Sequence, residues 1–96
     1  LASRAIRLEQ NAPNPFNPLT NISYVLPDSP GRVTLCVYNV SGRMVRRLVD
    51  ERGSAGRRSV VWDGRDSGGR AVASGVYLLR LTAGGGARTV KMVLLK

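Results

Sequence analysis

The stretch "RVTLCVYNVSGRMVRRLV" (residues 32–49) decides the fold of this chain. In its first half, Val33, Leu35 and Val37 alternate with other side chains, and β-branched residues are frequent. That pattern is typical of a β-strand with one buried face. The tripeptide SGR supplies a tight turn through its glycine, and the run "RMVRRLV" follows it. The stretch therefore predicts two strands joined by a hairpin turn.

Strand-like runs continue on both sides of this hairpin, and no convincing helical period interrupts them. The additional runs are "AIRLEQ" (5–10), "TNISYVLP" (20–27), "RRSVVWDG" (57–64), "VYLLRLTA" (76–83) and "ARTVKMVLLK" (87–96). Polar or glycine-rich connections separate them, the longest being "GRDSGGRAVASG" (64–75). Short strands at regular spacing predict an all-β fold, namely an immunoglobulin-like antiparallel β-sandwich of about seven strands.

The chain is long enough for one domain with a single modest core. It has 96 residues, of which 43% are hydrophobic, as in ordinary globular domains. The core is expected to rest on Leu35, Val37, Val45, Leu48, Trp62, Tyr77, Leu79 and Leu81. Within the single domain 1–96, we expect a first strand or linker from an upstream domain (1–9), a proline-rich segment (10–19) and the sandwich itself (20–96). We expect this domain to be a monomer.

The residue inventory argues against catalysis. The chain has no histidine, which removes the most common general base and metal ligand. Cys36 is the only cysteine, and in an alternating strand a small buried hydrophobe is a commoner role than a nucleophile. No apolar run approaches the roughly 20 residues that span a bilayer. We therefore expect no enzyme activity, no cofactor, no metal and no transmembrane segment.

The charge of the chain is strongly basic. Its 15 Lys and Arg residues outnumber its 6 Asp and Glu residues, which gives a net charge of +9. Such a balance raises the possibility of a nucleic acid or another anionic partner. The arginines, however, are scattered over successive strands and turns, and aromatic residues suited to base stacking are few. A solvated, arginine-rich surface is the favoured interpretation, and no nucleic acid is expected.

Two aspartates in "WDGRDSGG" are candidates for an ion site. Asp63 and Asp66 stand three residues apart in a glycine-rich loop, beside Ser67. Oxygen ligands on a flexible turn could hold Ca²⁺, but the alternating ligands and the closing glutamate of an EF-hand are missing. Arg65 also lies between the two carboxylates. The favoured interpretation is that both side chains cap turns by accepting hydrogen bonds from nearby backbone N–H groups.

Two further features have both a structural and a functional interpretation. Gly42 and Arg43 form either a plain hairpin turn with an exposed arginine, or a recognition handle that could also hold a neighbouring carboxylate. The last residues, "KMVLLK" (91–96, the KMVLLK segment), carry apolar side chains on both faces. This indicates a strand that is buried on both sides or one that meets a partner, and core filling is the favoured explanation.

The proline segment (residues 10–19) contains three of the five prolines in the chain. A residue before proline is pushed towards an extended conformation, and Asn readily forms side-chain turns. The run Pro13, Asn14, Pro15 therefore predicts a stiff segment outside the strand ladder, which turns the chain into the sandwich. Phe16, the only phenylalanine, is expected to anchor this segment in the core.

Several of these stretches, taken together and in order, resemble a known family. They are "QNAPNPFNPLTNISYVLP", "VTLCVYNVSGRMVRRL", "WDGRDSGGRAVASGVYLLRLTAG" and "KMVLLK". Over about residues 8–96 the chain resembles the type A C-terminal sorting domain of the bacterial type IX secretion system. From Val33 to Arg80 it is also similar to the immunoglobulin-like domain of flagellar hook-capping proteins. The proline segment and the KMVLLK segment favour the sorting domain.

What the resemblance implies is a non-catalytic secretion signal carried at the end of an exported protein. An outer-membrane translocon would recognise the domain in the periplasm and direct its parent protein to the cell surface or the medium of a Gram-negative bacterium. A sortase-like protease associated with the translocon would then cut the domain from the upstream cargo domain.

The resemblance and the residue patterns together assign roles to individual positions. Sorting or recognition is expected of Gly42, Arg43, Lys91, Leu94, Leu95 and Lys96. Structural motifs are expected at Pro13, Asn14, Pro15, Phe16, Trp62, Asp63, Gly64, Gly75 and Tyr77. The alternative function is a passive structural or interaction module, such as a hook-cap-like or cell-surface accessory domain. A third possibility is binding of an anionic polymer through the arginines.

Overall fold

A computed structural model of the chain describes residues 6–96. The seven strands are β1 (Arg7–Leu8), β2 (Thr20–Leu26), β3 (Arg32–Asn39), β4 (Met44–Arg52), β5 (Gly56–Trp62), β6 (Gly75–Ala83) and β7 (Gly86–Leu94). The described residues contain no helix, so none is long and apolar enough to span a membrane. The all-β prediction and the predicted number of strands are confirmed.

The strands form two antiparallel sheets that pack face to face. One sheet has three strands in the order β1-β2-β5, and the other has four in the order β4-β3-β6-β7. Neighbouring strands in each sheet run antiparallel throughout. Two sheets packed over a shared core make a β-sandwich, as expected for an immunoglobulin-like domain.

Strand boundaries differ from the predicted ones by up to three residues, as at β1, β4, β5 and β7, which ends at Leu94 and not at residue 96. The first strand shrinks from residues 5–10 to the pair Arg7–Leu8; residues 1–5, which belong to the expected first strand or linker (1–9), lie outside the described residues. β4 continues to Arg52, because its end still pairs with the start of β3. β5 ends at Trp62, because the next residue, Asp63, already caps a turn by accepting a hydrogen bond from a backbone N–H group.

The core forms between the two sheets and extends beyond the eight residues that the sequence suggests. Six of those eight are buried, but Val45 and Leu48 are only partly buried. They lie on β4, an edge strand whose register against β3 shifts twice. The buried hydrophobic residues are Ile6, Phe16, Ile22, Tyr24, Leu26, Val33, Leu35, Cys36, Val37, Trp62, Tyr77, Leu79, Leu81, Ala83, Met92 and Leu94.

The buried state of Cys36 agrees with its expected role as a small hydrophobe. Its thiol is free, and its side chain is 5% exposed. Its neighbours across β4 and β6 are Arg47 and Arg80. Cys36 therefore lies on the side of the sheet that faces away from the core, and it is nevertheless buried.

Candidate recognition site at one end of the sandwich

The sequence motifs converge at one end of the sandwich. β3 and β5 end there, β4 and β6 begin there, and β7 reaches the same end with its last residues, because neighbouring strands are antiparallel. The β3–β4 turn, loop 63–74, the proline segment and the KMVLLK segment therefore lie at this end. Adjacent strands are about 4.8 Å apart, so the ends of β3 and β7 are separated by about 10 Å, with β6 between them.

The proline segment lies alongside the end of β7 as a short parallel partner. Phe16 and Leu94 form an isolated parallel bridge. The Phe16 N–H donates to the Val93 carbonyl at 3.0 Å, and the Leu95 N–H donates to the Phe16 carbonyl at 2.9 Å. The Val93 carbonyl and the Leu95 N–H point away from β6. Because β7 is the edge strand of its sheet, these groups would have no strand partner without the proline segment. The two segments that the sequence singles out at opposite ends of the chain are therefore one structural unit.

Side-chain amides add hydrogen bonds between the proline segment and β7. The backbone nitrogens of Pro13 and Pro15 have no hydrogen to donate. The Asn14 Oδ1 accepts from the Val93 N–H at 2.9 Å, and the Gln10 Nε2 donates to the Lys91 carbonyl at 2.8 Å. Gln10 therefore supplies a donor beside the proline run, and Asn14 supplies an acceptor within it.

The proline segment is also attached to the three-stranded sheet. Ala12 and Asn21 exchange two backbone hydrogen bonds, at 3.0 and 2.8 Å. Asn11 and Thr20 are buried polar residues, and the Asn11 Nδ2 donates to the Thr20 Oγ1 at 2.9 Å. The Thr20 hydroxyl in turn donates to the Pro13 carbonyl at 2.9 Å. Because the segment bonds to β2 on one side and β7 on the other, it closes this end of the sandwich.

An aromatic cluster anchors the segment, as the sequence predicts for Phe16. Phe16 is 2% exposed, and its ring centroid lies 5.6 Å from that of Trp62. Trp62 meets Tyr77 edge-on at 5.5 Å. The Trp62 indole N–H donates to the Arg65 carbonyl at 3.0 Å, and the Tyr77 hydroxyl donates to the Ala73 carbonyl at 2.7 Å. Burial raises the pKa of Tyr77, so its hydroxyl keeps the proton that it donates.

The aspartate loop is organised by turn capping. The Asp63 Oδ1 accepts from the Arg65 N–H at 3.1 Å, and the Asp66 Oδ1 accepts from the Gly68 and Arg70 N–H groups at 2.9 and 3.0 Å. These hydrogen bonds match the capping role expected from the sequence. The Arg70 N–H is the main cause of a lowered Asp66 pKa. Among residues 6–96, no cluster of three or more acidic, Cys or His side chains could hold a metal ion.

Gly64 allows this loop to pack closely against the proline segment. Its φ is +72°, a backbone conformation that residues other than glycine rarely adopt. A Cβ at this position would lie 3.4 Å from the Pro18 carbonyl oxygen and 3.7 Å from a Leu94 methyl group. Gly75, the other motif glycine, begins β6 directly opposite Leu94. Both glycines therefore border the last core residue of β7.

The Gly-Arg turn lies at the same end, and β6 separates its strand β3 from the KMVLLK segment on β7. The Asn39 Oδ1 holds the turn by accepting hydrogen bonds from the Ser41 and Arg43 N–H groups, both at 3.0 Å. Gly42 has a φ of +89°, which favours glycine. The Arg43 side chain is exposed, and within residues 6–96 it forms no ion pair with a carboxylate. It borders a groove of about 410 Å³ that Asp66 and Val72 also line.

The KMVLLK segment is divided between core and surface. Met92 and Leu94 are fully buried, whereas Lys91, Leu95 and Lys96 are exposed, Leu95 by 53%. The strand is thus buried on one face, and its other face is open to a partner. A groove of about 340 Å³ runs between Leu95–Lys96 and the proline segment, where Pro13, Pro15, Phe16 and Asn17 line it.

Sequence reasoning missed several residues that build this end. Gln10, Asn11 and Thr20 supply the side-chain hydrogen bonds described above, and the Ser74 Oγ accepts from the Lys96 N–H at 3.0 Å. The available signal was the clustering of amide residues around the prolines. That signal does not identify the partner strand, because Asn14 and Val93 are 79 positions apart in the sequence.

Comparisons with known proteins agree with this architecture. The fold and its closed end define an immunoglobulin-like module. The FlgD Ig-like domain family matches residues 17–87, so the chain belongs to that family. The match confirms the resemblance to hook-capping proteins noted for residues 33–80 and extends it on both sides. No curated protein matches the chain.

Solved structures that share the fold include PorU, PorZ and FlgD. PorU from Porphyromonas gingivalis, a dimeric latent form, superposes with a TM-score of 0.74 at 23% identity over 99% of this chain. PorZ from the same organism is described as an essential bacterial surface component of the type-IX secretion system. It superposes with a TM-score of 0.57 at 19% sequence identity over 91% of this chain. FlgD from P. aeruginosa superposes with a TM-score of 0.55 at 29% sequence identity over 79% of this chain.

The chain corresponds to only part of each of these proteins. It spans 10% of PorU, 11% of PorZ and 59% of FlgD. At their identities, the PorU and PorZ matches establish a common fold. What those proteins bind or do bears on this chain only as a basis for the proposal that follows.

Proposed function

We propose that this domain is a non-catalytic secretion signal of the type IX system, recognised by an outer-membrane translocon. The observation that carries the proposal is the union of the proline segment and the KMVLLK segment in one surface at one end of the sandwich. Both segments carry the resemblance to type IX sorting domains. The fold shared with PorZ, a surface component of that system, supports the same assignment.

The exposed side chains at this end define what a translocon would contact. Leu94 is fully buried and holds the strand in the core, so the folded domain offers Leu95 and Lys96 instead. The backbone edge near them is already bonded to Phe16 and Asn14. Recognition therefore uses these side chains and the adjoining groove, without adding a strand to that part of β7.

A two-residue variant tests the proposal without unfolding the domain. Deleting the whole KMVLLK segment would remove Met92 and Leu94 from the core and would confound recognition with folding. The double variant Leu95→Ser, Lys96→Ala changes exposed side chains only. Fused to a passenger in a bacterium with the type IX system, it should leave the passenger in the periplasm, whereas the wild-type fusion is exported.

The matched control is Val61→Ser, because Val61 lies on β5 outside both segments and is 55% exposed, while Leu95 is 53% exposed. The control fusion should be exported like the wild type. Undiminished export of the Leu95→Ser, Lys96→Ala fusion would refute the proposal.

We further propose that the domain is removed after transport to the cell surface or the medium of a Gram-negative bacterium. A sortase-like protease of the translocon would cut between the upstream cargo and this domain. Mass spectrometry of the mature surface protein should find the cargo without residues 20–96. A mature protein that retains the sandwich would instead indicate a passive structural or interaction module.

A further inference from the structure

The outer face of the four-stranded sheet, the side turned away from the core, carries an apolar row that runs from β4 to β6, with a second apolar pair beside it. Tyr38 pairs with Met44 on β4 and with Leu78 on β6. Val76 and Val93 form the neighbouring pair. Met44 is 40% exposed and Val76 is 37% exposed, while the other three are half-buried. Single exposed apolar residues are ordinary, whereas a row of neighbouring ones on adjacent strands is typical of an interaction surface.

A groove opens along this row. It has a volume of about 330 Å³ and is lined by Tyr38, Gly42, Leu78, Arg80 and Thr89. Tyr38 and Leu78 provide an apolar floor, and Arg80 and Thr89 provide polar groups at its side. Burial raises the pKa of Tyr38, so its hydroxyl remains a hydrogen-bond donor at neutral pH.

Two cations lie beside the apolar row on this face. Lys91 lies opposite Leu78, and Arg80 lies opposite Thr89. Both cations are exposed, and neither forms an ion pair in the part of the chain that the structure describes. Asp50, opposite Thr34 on the same side of the sheet, is already 2.7 Å from the Arg32 guanidinium.

We propose that this outer face docks a partner protein whose contact patch combines an apolar centre with carboxylates. The partner's apolar side chains pack on Tyr38 and Leu78, and its carboxylates pair with Arg80 and Lys91. Tyr, Met and Arg are enriched in protein interfaces, and complementary charge fixes the orientation of the partner. A simple polyanion would contact the cations but would leave the apolar row exposed to water.

This surface differs from the one proposed for secretion. It is the flat side of the sheet, whereas the groove beside Leu95 and Lys96 lies at the end of the sandwich. Lys91 and Val93 belong both to the KMVLLK segment and to this outer face. The inference does not rest on the secretion role, and its test is carried out in solution with purified protein.

The test is an NMR titration of the ¹⁵N-labelled 96-residue chain with synthetic peptides of about ten residues. The probe alternates Glu with Leu. One comparison peptide replaces Glu by Gln, and another replaces Leu by Ser. Only the Glu/Leu probe should shift the amide signals of Tyr38, Leu78, Arg80 and Lys91 in a saturable way.

Matched charge reversals locate the binding face. Arg80→Glu should weaken binding of the Glu/Leu probe by about tenfold, because it replaces an attraction at the groove by a repulsion. Arg88→Glu should change it by less than about twofold, because Arg88 pairs with the inward-facing Leu81 and points to the other side of the sheet. Both substituted residues are exposed, so the fold is retained.

Three results would overturn the proposal. The first is an absence of shifts on the outer face with the Glu/Leu probe. The second is equal binding of the Glu/Ser peptide, which would show that charge alone is sufficient. The third is a response of the same amides to phosphatidylglycerol vesicles and not to the Glu/Leu probe, which would assign the face to a membrane surface.

Discussion

Phe16 is the residue of the proline segment whose side chain packs into the core, whereas Pro13, Pro15 and Pro18 are exposed. Its ring is buried against Trp62, and its backbone groups bond to Val93 and Leu95. Phe16→Ala keeps the backbone bonds and removes the ring. We expect the free energy of unfolding, measured by urea denaturation, to fall by about 3–5 kcal/mol because of the cavity left behind.

The matched control for Phe16 is Leu19→Ala in the same segment. Leu19 is 54% exposed, so its truncation should change the free energy of unfolding by less than about 0.5 kcal/mol. If Phe16→Ala prevents folding, Phe16→Leu gives a measurable, smaller loss. Equal effects of the Phe16 and Leu19 substitutions would contradict the role of Phe16 as the anchor.

Asp66 makes the stability of its loop depend on pH. Hydrogen bonds from the Arg70 and Gly68 N–H groups favour its carboxylate, so its pKa in the folded state lies below the ordinary 3.8. A lowered folded pKa gives stability that is present above the unfolded pKa and is lost as pH falls through the folded pKa. Asp66→Asn should therefore destabilise the domain near neutral pH, and the difference should shrink in acid.

Urea denaturation of wild type and Asp66→Asn from about pH 7 to about pH 3 measures that difference. The asparagine oxygen can still accept both hydrogen bonds, so the variant isolates the effect of the charge. A difference that stays constant over this range would show that ionisation of Asp66 does not contribute.

At the scale of elements, the pairing of the proline segment with β7 depends on the Asn14 side chain. Asn14→Ala removes the acceptor for the Val93 N–H and should cost about 1 kcal/mol of stability. The more specific result is faster hydrogen exchange at the Val93 amide, with a smaller increase at Leu95, whose acceptor is the Phe16 carbonyl.

Asn17 provides the control for Asn14, because it also precedes a proline. No hydrogen bond from its side chain occurs in the part of the chain that the structure describes. Asn17→Ala should leave exchange at Val93 unchanged. If both substitutions accelerate that exchange equally, the effect comes from the local conformation of the segment, and the Asn14–Val93 bond is not its cause.

The elements differ in how far the sequence predicts them. Alternation identifies β3 and β6 well, because their inward residues, such as Leu35 and Leu79, are fully buried. Alternation overestimates the burial of Val45 and Leu48, because a residue pattern does not show that β4 is an edge strand or that its register against β3 shifts. The sequence predicts that the proline segment is stiff and anchored by Phe16. Its attachment to β7 depends on contacts between distant residues, which local patterns do not encode.

At the scale of the whole molecule, one core serves both sheets, and Trp62 lies where they meet the proline segment. Trp62 is fully buried, is the only tryptophan and contacts both Phe16 and Tyr77. We expect cooperative unfolding in which tryptophan fluorescence and far-ultraviolet circular dichroism give the same urea midpoint. A fluorescence transition that precedes the loss of sheet signal would show that this end opens independently.

The parallel arrangement of Phe16 and Leu94 has a mechanical consequence. If the chain is pulled from its two ends, the strand through Phe16 is drawn one way and the strand through Leu94 the other. The hydrogen bonds of Phe16 with Val93 and Leu95 are then loaded together, in shear, and cannot open one after another. Single-molecule stretching from both termini should therefore show a force peak at this end, and Asn14→Ala should lower that peak because it removes the neighbouring bond to Val93.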